Sequence, residues 1–221
     1  MNITYWSDIA CPFCYIGATR MKRAMKAVGL NPNDLKMRAF QLNPYAPQET
    51  TESMLTQFAT SHHMSKEDAQ SQFDYIASMG EKEGLHIDMA GAIPTNTMLA
   101  HRLIKWAETQ LSKDKLQELI SALYQLYFER HVSIASKDEL IRVASAFGLP
   151  AASTLNFLDS NQFEAEVKAD MNLAYQSGVS GAPFFVLNQK YGISGAQPYE
   201  YMETALKQVL AEERKKSNDE N

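Results

Sequence analysis

The sequence predicts an α/β fold assembled from the two ends of the chain, with a large all-helical insertion between them. Three observations carry that expectation. Residues 1–44 read strand, helix, strand; residues 178–221 read strand, strand, helix; residues 45–177 carry almost only helical patterning. Two strands alone make a marginal sheet, so each end needs the other to complete one.

The elements follow in order. Residues 2–7 (NITYWS) are short and rich in Ile, Thr, Tyr and Trp, which suits a strand. Pro12 then stands at a helix start, where its missing N–H costs nothing, and Ile16, Met21, Met25 and Val28 give an inward stripe that Gly29 closes. Residues 35–42 (LKMRAFQL) read as a second strand, ended by Asn43-Pro44. In the middle, Ser65 with Asp68 and Ser136 with Glu139 form capping boxes. Helices are expected over 51–62, 65–83, 95–110, 112–131, 136–147 and 162–177, and Gly91-Ala92-Ile93-Pro94 is read as a loop. Late in the chain, 184–187 (FFVL) is a buried strand, 188–190 a turn and 191–194 a second strand. Pro198 opens a last helix with Tyr201, Leu206 and Leu210 inward, and the charged tail 212–221 is expected to fray.

Composition removes several function classes. A chain of 221 residues buries roughly 70% of its unfolded surface and needs no disulfide framework. It is 45% hydrophobic and 21% charged with a net charge of −5, so no broad attraction to nucleic acid or anionic membrane is expected. No apolar run approaches the roughly 20 residues that span a bilayer. The first eight residues show neither the basic start nor the apolar stretch of a secretory signal, and the expected location is the cytoplasm. Thiols are kept reduced there, which favours a catalytic or metal-binding role for the two cysteines over a structural one.

Those cysteines are three residues apart, in Cys11-Pro12-Phe13-Cys14, where a strand feeds a helix. Backbone N–H groups and the helix dipole in the first turn favour thiolate, the reactive form of cysteine. Helical spacing lets the second sulfur return to the first. On that reading Cys11, at the open end, is the nucleophile, and Cys14, one turn in, resolves the mixed disulfide. Two alternatives remain beside it. The cysteines could be inert core residues. They could also be half of a zinc site, although His62, His63, His86, His101 and His131 lack the usual ligand spacing. A Cys-x-x-Cys beside a βαβ pattern favours redox chemistry.

The quoted motifs resemble a known family nearly end to end. They are Asp8-Ile9-Ala10-Cys11-Pro12-Phe13-Cys14-Tyr15-Ile16-Gly17, Asn96-Thr97 with Ala100-His101-Arg102-Leu103, the run 178–186 (GVSGAPFFV), and Ser194-Gly195-Ala196-Gln197-Pro198. In this order they resemble the DsbA-type thiol–disulfide oxidoreductases of the FrnE-like branch. The resemblance implies a thioredoxin-like fold interrupted by helices, with the discontinuous parts 1–44 and 178–221 around a 45–177 insertion. It also implies that Pro183 is a cis-proline facing the cysteines and that Ala182 offers its backbone to a substrate chain. Its partners would be disulfide- or thiol-containing proteins or small molecules, with glutathione or a thioredoxin system as electron donor. No metal or organic cofactor is expected beyond the Cys11–Cys14 pair, with glutathione as a conceivable co-substrate. Phe13 stands where strongly oxidising members carry histidine, which implies a less oxidising couple. A sister group, the glutathione-dependent 2-hydroxychromene-2-carboxylate isomerases and kappa-class glutathione transferases, usually carries serine at the position of Cys11 and offers the alternative function.

The remaining candidates each have a plain structural reading. Asp8 would cap the first helix or take a proton during exchange. Trp6 and Tyr15 would line a substrate groove or fill the core. Asn96, Thr97 and His101 would bind a carboxylate at a helix start or simply cap it. Arg20, Lys22, Arg23 and Lys26 read as a solvated basic face, and the methionines as core filler.

Overall fold

The computed structural model describes residues 1–219 of the backbone and side chains through Lys215. One four-stranded sheet in the order β2-β1-β3-β4 joins the two ends of the chain. β1 (Ile3–Ser7) pairs parallel with β2 (Lys36–Ala39) and antiparallel with β3 (Phe184–Leu187), which pairs antiparallel with β4 (Tyr191–Ser194). α1 (Pro12–Ala27) connects β1 to β2. Seven helices lie between β2 and β3: α2 (Met54–Ser61), α3 (Lys66–Glu81), α4 (Met98–Glu108), α5 (Lys113–Phe128), α6 (Lys137–Ala146), α7 (Ala151–Asp159) and α8 (Glu164–Gln176). α9 (Tyr199–Asp219) follows β4 and packs on α1.

The alternation of β1 decides what lies on each side of the sheet. Tyr5 joins the main core with α1, α5 and α9, whereas Trp6 joins a smaller cluster with Phe40 and Ala174 of α8. The main core runs without interruption from the sheet into the insertion, through Leu119, Leu123, Tyr127 and Phe128 of α5. Each large apolar side chain sealed in this way contributes about 1.5–3 kcal/mol. Met21 and Met25 are buried core residues, as their spacing predicts.

Several boundaries differ from the sequence reading, each for a local reason. β2 stops at Ala39 rather than 42, because Leu42 gives its N–H to the Asp8 carboxylate at 2.8 Å and Gln41 turns to Asn96 and Thr97. α4 begins at Met98 rather than 95, because Asn96 N–H bonds the Pro47 carbonyl at 2.9 Å and holds the preceding residues out of the helix. α7 and a short 3₁₀ turn at Pro32–Asp34 are absent from the sequence reading; α7 starts after Pro150 without a side-chain cap and buries only Thr154, Phe157 and Leu158. Ser65 and Ser136 do cap α3 and α6, bonding the N–H of Asp68 and Glu139. The tail stays helical through Asp219 instead of fraying from 212; residues 220–221 of that expectation lie outside the described residues.

The basic side of α1 is the expected solvated face at Arg23 and Lys26, which are exposed, but not at Arg20. Arg20 is buried, its guanidinium bonding Glu83 at 2.7 Å and the Ala196 carbonyl at 2.8 Å. Arg23 bonds the other Glu83 oxygen at 2.8 Å and lies over the Tyr199 ring. Burial pulls the Lys22 ammonium down to about 8. Arg20 and Arg23 thus tie the segment after α3 and the β4–α9 connection to α1.

Candidate active site

Cys11 is the N-cap residue of α1, with Pro12 in the first turn where no N–H is needed. Its backbone N–H donates to the Asp8 carbonyl at 3.1 Å, closing the turn that leads from β1 into the helix. Its Sγ–H points at the carbonyl of Ala182, 3.7 Å away, and the Ala182–Pro183 peptide bond is cis. Pro183 leads directly into β3, and its own carbonyl accepts from Gly195 N–H at 2.8 Å. Gly17 permits this approach: a Cβ there would stand 3.1 Å from the Pro183 ring. Two residues encoded 171 positions apart therefore meet at the head of α1.

Both cysteines are reduced and buried, Cys11 at 3% exposure and Cys14 at 0%. They differ in what surrounds them. Cys11 lines a cleft, whereas Cys14 is sealed beneath it, and burial pushes the Cys14 thiol well up, with the neighbouring Cys11 adding to the rise. The Asp8 N–H donates to Cys14 Sγ at 3.5 Å.

The cleft has a volume of about 900 Å³ and opens between the head of α1, the segment after β2, the helices α2 and α3, and the loop before α4. Its walls include Phe13, Leu42, Met54, Phe58, Tyr75, Ile76 and Met89, with Gln57, Ser61, His62 and Thr97 as polar points. Neither lysine nor arginine is among its described lining residues. Phe13, Leu42 and Tyr75 remain substantially exposed at its mouth.

The sequence candidates distribute unevenly over this geometry. Cys11, Pro12, Phe13, Asp8 and Thr97 all line the cleft. Asp8 does not cap α1, which has no side-chain cap; its carboxylate instead takes the Leu42 N–H and lies 3.2 Å from His101 Nε2. His101 is buried behind Asp8 and away from the cleft lining, so it is placed to orient that carboxylate and not to meet a ligand. Asn96 is likewise internal, one residue ahead of the Thr97 N-cap. Its Oδ1 accepts from Met98 N–H at 2.9 Å, and its Nδ2 donates to the carbonyls of Pro44 and Ala46. Trp6 and Tyr15 take the second of their two expected places and are core residues. The Trp6 indole donates to the Asp170 carbonyl at 2.8 Å, and Tyr15 stacks on Tyr124 at 4.6 Å. Among the described residues no group of three or more His, Cys, Asp or Glu is placed to hold a metal.

The apolar wall of α2 and α3 escaped the sequence reading, although the inward spacing of Phe73 and Ile76 was available as a signal. The polar neighbours of Cys14, which are Tyr5, Ser7 and Tyr124, were missed as well.

A strand that feeds Cys-x-x-Cys into a helix, opposite a proline that opens an antiparallel strand of the same sheet, defines a protein of the thioredoxin fold. The family model of the DSBA-like thioredoxin domain matches residues 2–207, and the chain belongs to that family. It is similar to the crystal structure of a probable DsbA oxidoreductase from Streptomyces coelicolor, at 32% identity and a TM-score of 0.87, over 95% of this chain and 90% of that one. Two more distant structures share the fold alone. One is a 2-hydroxychromene-2-carboxylate isomerase, at 13% identity and a TM-score of 0.70, over 97% and 98% of the two chains. The other is the cytosolic disulfide reductase DsbM from Pseudomonas aeruginosa, at 15% identity and a TM-score of 0.66, over 96% and 100%. No described helix is long and apolar enough to cross a membrane.

Proposed function

We propose that this protein is a thiol–disulfide oxidoreductase working through a Cys11–Cys14 couple. The observation that carries the reading is the division of labour between the sulfurs: Cys11 lines the cleft at a helix head, and Cys14 lies sealed one turn behind it. In the reductive direction, the Cys11 thiolate attacks one sulfur of a substrate disulfide. A Cys11–substrate disulfide forms, the substrate S–S bond breaks, and the first substrate thiolate leaves and takes a proton. Cys14 then loses its proton and attacks Cys11 Sγ, releasing the second substrate thiol and leaving Cys11–Cys14 oxidised by two electrons. An external thiol, glutathione or a thioredoxin system, returns the pair to the dithiol. Run in reverse, the same steps oxidise a substrate dithiol.

Other residues have supporting roles in this reading. The helix N-terminus favours negative charge on Cys11. The backbone of Ala182, beside Pro183, offers strand-like pairing to an extended substrate. The apolar walls suit a substrate that brings aliphatic or aromatic side chains next to its cysteine. No cofactor is required by these steps.

The test uses one variant. Cys14→Ser is expected to accumulate a stable mixed disulfide with a substrate disulfide, seen as the added mass on the intact protein and removed by dithiothreitol. A glutathione-dependent isomerase or transferase would instead keep its activity in Cys14→Ser and show saturable glutathione binding, and that result overturns the redox reading.

A further inference from the structure

Cys14 is enclosed by more hydroxyl groups than an inert core thiol requires. Ser7 Oγ and Tyr124 Oη lie 2.7 Å apart, both buried, and Tyr124 Oη is also 3.4 Å from the Asp8 carbonyl. Ser7 directly precedes Asp8, whose N–H donates to Cys14 Sγ at 3.5 Å, and the nearby Ser7 hydroxyl works against the upward push of burial on the Cys14 thiol. Tyr5 precedes Ser7 by two residues on the same face of β1, and its Oη is buried without a hydrogen-bond partner among the described residues. Phenylalanine would fill that place against Phe185 without stranding a hydroxyl.

We propose that Ser7 and Tyr124 form a hydrogen-bond chain that positions Cys14 and carries the charge on its sulfur while it resolves the mixed disulfide, with Tyr5 as an adjoining donor. The proposal rests on the redox reading above. At 0% exposure, Cys14 has no water to solvate a developing thiolate, so the protein must supply the donors. Two arrangements of the chain are available. With Cys14 neutral, Tyr124 can donate to the Asp8 carbonyl and Ser7 to Tyr124. With Cys14 charged, Tyr124 donates to Ser7, which frees the Ser7 proton for the sulfur beside the fixed Asp8 N–H. The thiol proton itself leaves through the cleft to solvent or to the departing substrate thiolate. The titratable groups facing Cys14 are Cys11 and Asp8 at the head of α1, Tyr5 on β1 and Tyr124 on α5, with His101 of α4 behind Asp8.

Ser7, Tyr124 and Tyr5 are thus positioning residues, and their effect is confined to one step. The aromatic disulfide 5,5′-dithiobis(2-nitrobenzoate) separates the steps: attack by Cys11 releases one coloured thiolate, and resolution by Cys14 releases the second. In Ser7→Ala and Tyr124→Phe the first release keeps its rate, while the second slows by roughly tenfold or more, the worth of a hydrogen bond to a charged group. The pH midpoint of the second release moves upward, because removing a donor raises the Cys14 thiol further. Ser7→Thr, which keeps the hydroxyl, restores both rate and midpoint. Tyr124→Phe keeps the ring against Tyr15 and serves if Ser7→Ala does not fold. An unchanged second release with an unchanged midpoint in these variants overturns the hydroxyl chain and leaves the redox reading intact. A second release from Cys14→Ser as fast as from the parent overturns the redox reading, and the chain with it.

Discussion

Cys11→Ser is expected to reduce the exchange of insulin disulfides to the level of a protein-free control. The expectation rests on chemistry that no neighbour can replace. Thiol–disulfide exchange requires a sulfur nucleophile, since a serine hydroxyl neither ionises near neutrality nor forms an exchangeable bond to sulfur. Cys11 alone of the two cysteines reaches the cleft, and Cys14 is fully enclosed behind it. Cys14 therefore cannot take over the attack without opening the head of α1. The fold should tolerate the change, because Cys11 contributes one thiol contact to the Ala182 carbonyl at 3.7 Å and little else. Unchanged circular dichroism with lost turbidity in the insulin assay meets the expectation. Substantial residual activity would move the nucleophile elsewhere.

Asp170→Ala is expected to be the most damaging single change away from the cysteines. Asp170, on α8, is buried and bonds Arg38 at 2.9 Å, the Ala39 N–H at 2.9 Å and the Lys105 ammonium. It thereby fastens β2 and α4 to the helix that covers the second face of the sheet. Removing it strands two cations with side-chain exposures of only 31% and 15%, and leaves the last N–H of β2 unpaired. Breaking a buried ion pair by deleting one partner costs about 3–5 kcal/mol, a large share of the roughly 5–15 kcal/mol that holds a domain together. For a chain of this size the midpoint of thermal unfolding should fall by roughly 6–20 °C. Asp170→Asn, which keeps an acceptor for Ala39 N–H, should lose less. A thermal shift below about 2 °C in the alanine variant would show that the cluster is not structural.

The elements that carry the chemistry were legible because their signals are local. A β-rich run, then Cys-Pro-Phe-Cys, then an inward stripe at helical spacing places the sulfurs at the head of a helix. Pro183 before Phe184-Phe185-Val186 places a strand start. Their meeting across 171 residues was accessible only through the resemblance, since no local pattern encodes it. The errors share one cause, which is long-range polar contact. Asp8 is well suited to capping by residue type, yet its carboxylate is taken by Leu42 and His101, 34 and 93 residues away. Asn96 and Trp6 instead took the plainer of their expected places, Asn96 receiving the Met98 N–H at the start of α4 and Trp6 lying in the core against α8. Arg20 looked solvated by helical position but was claimed by Glu83, 63 residues on. Short α7 was missed because Pro150 gave a boundary without a cap to announce what followed.

The cysteine pair stands or falls on whether its two sulfurs exchange electrons as a unit. Equilibrating the protein in glutathione buffers of graded potential and counting its free thiols by acid-quenched alkylation measures this directly. A single two-electron transition between dithiol and Cys11–Cys14 disulfide is expected. Its midpoint should be more reducing than the value of about −120 mV for DsbA, because Phe13 offers no cationic donor to a thiolate. Two thiols that persist at the most oxidising poise, with no intramolecular disulfide formed, would contradict the redox reading.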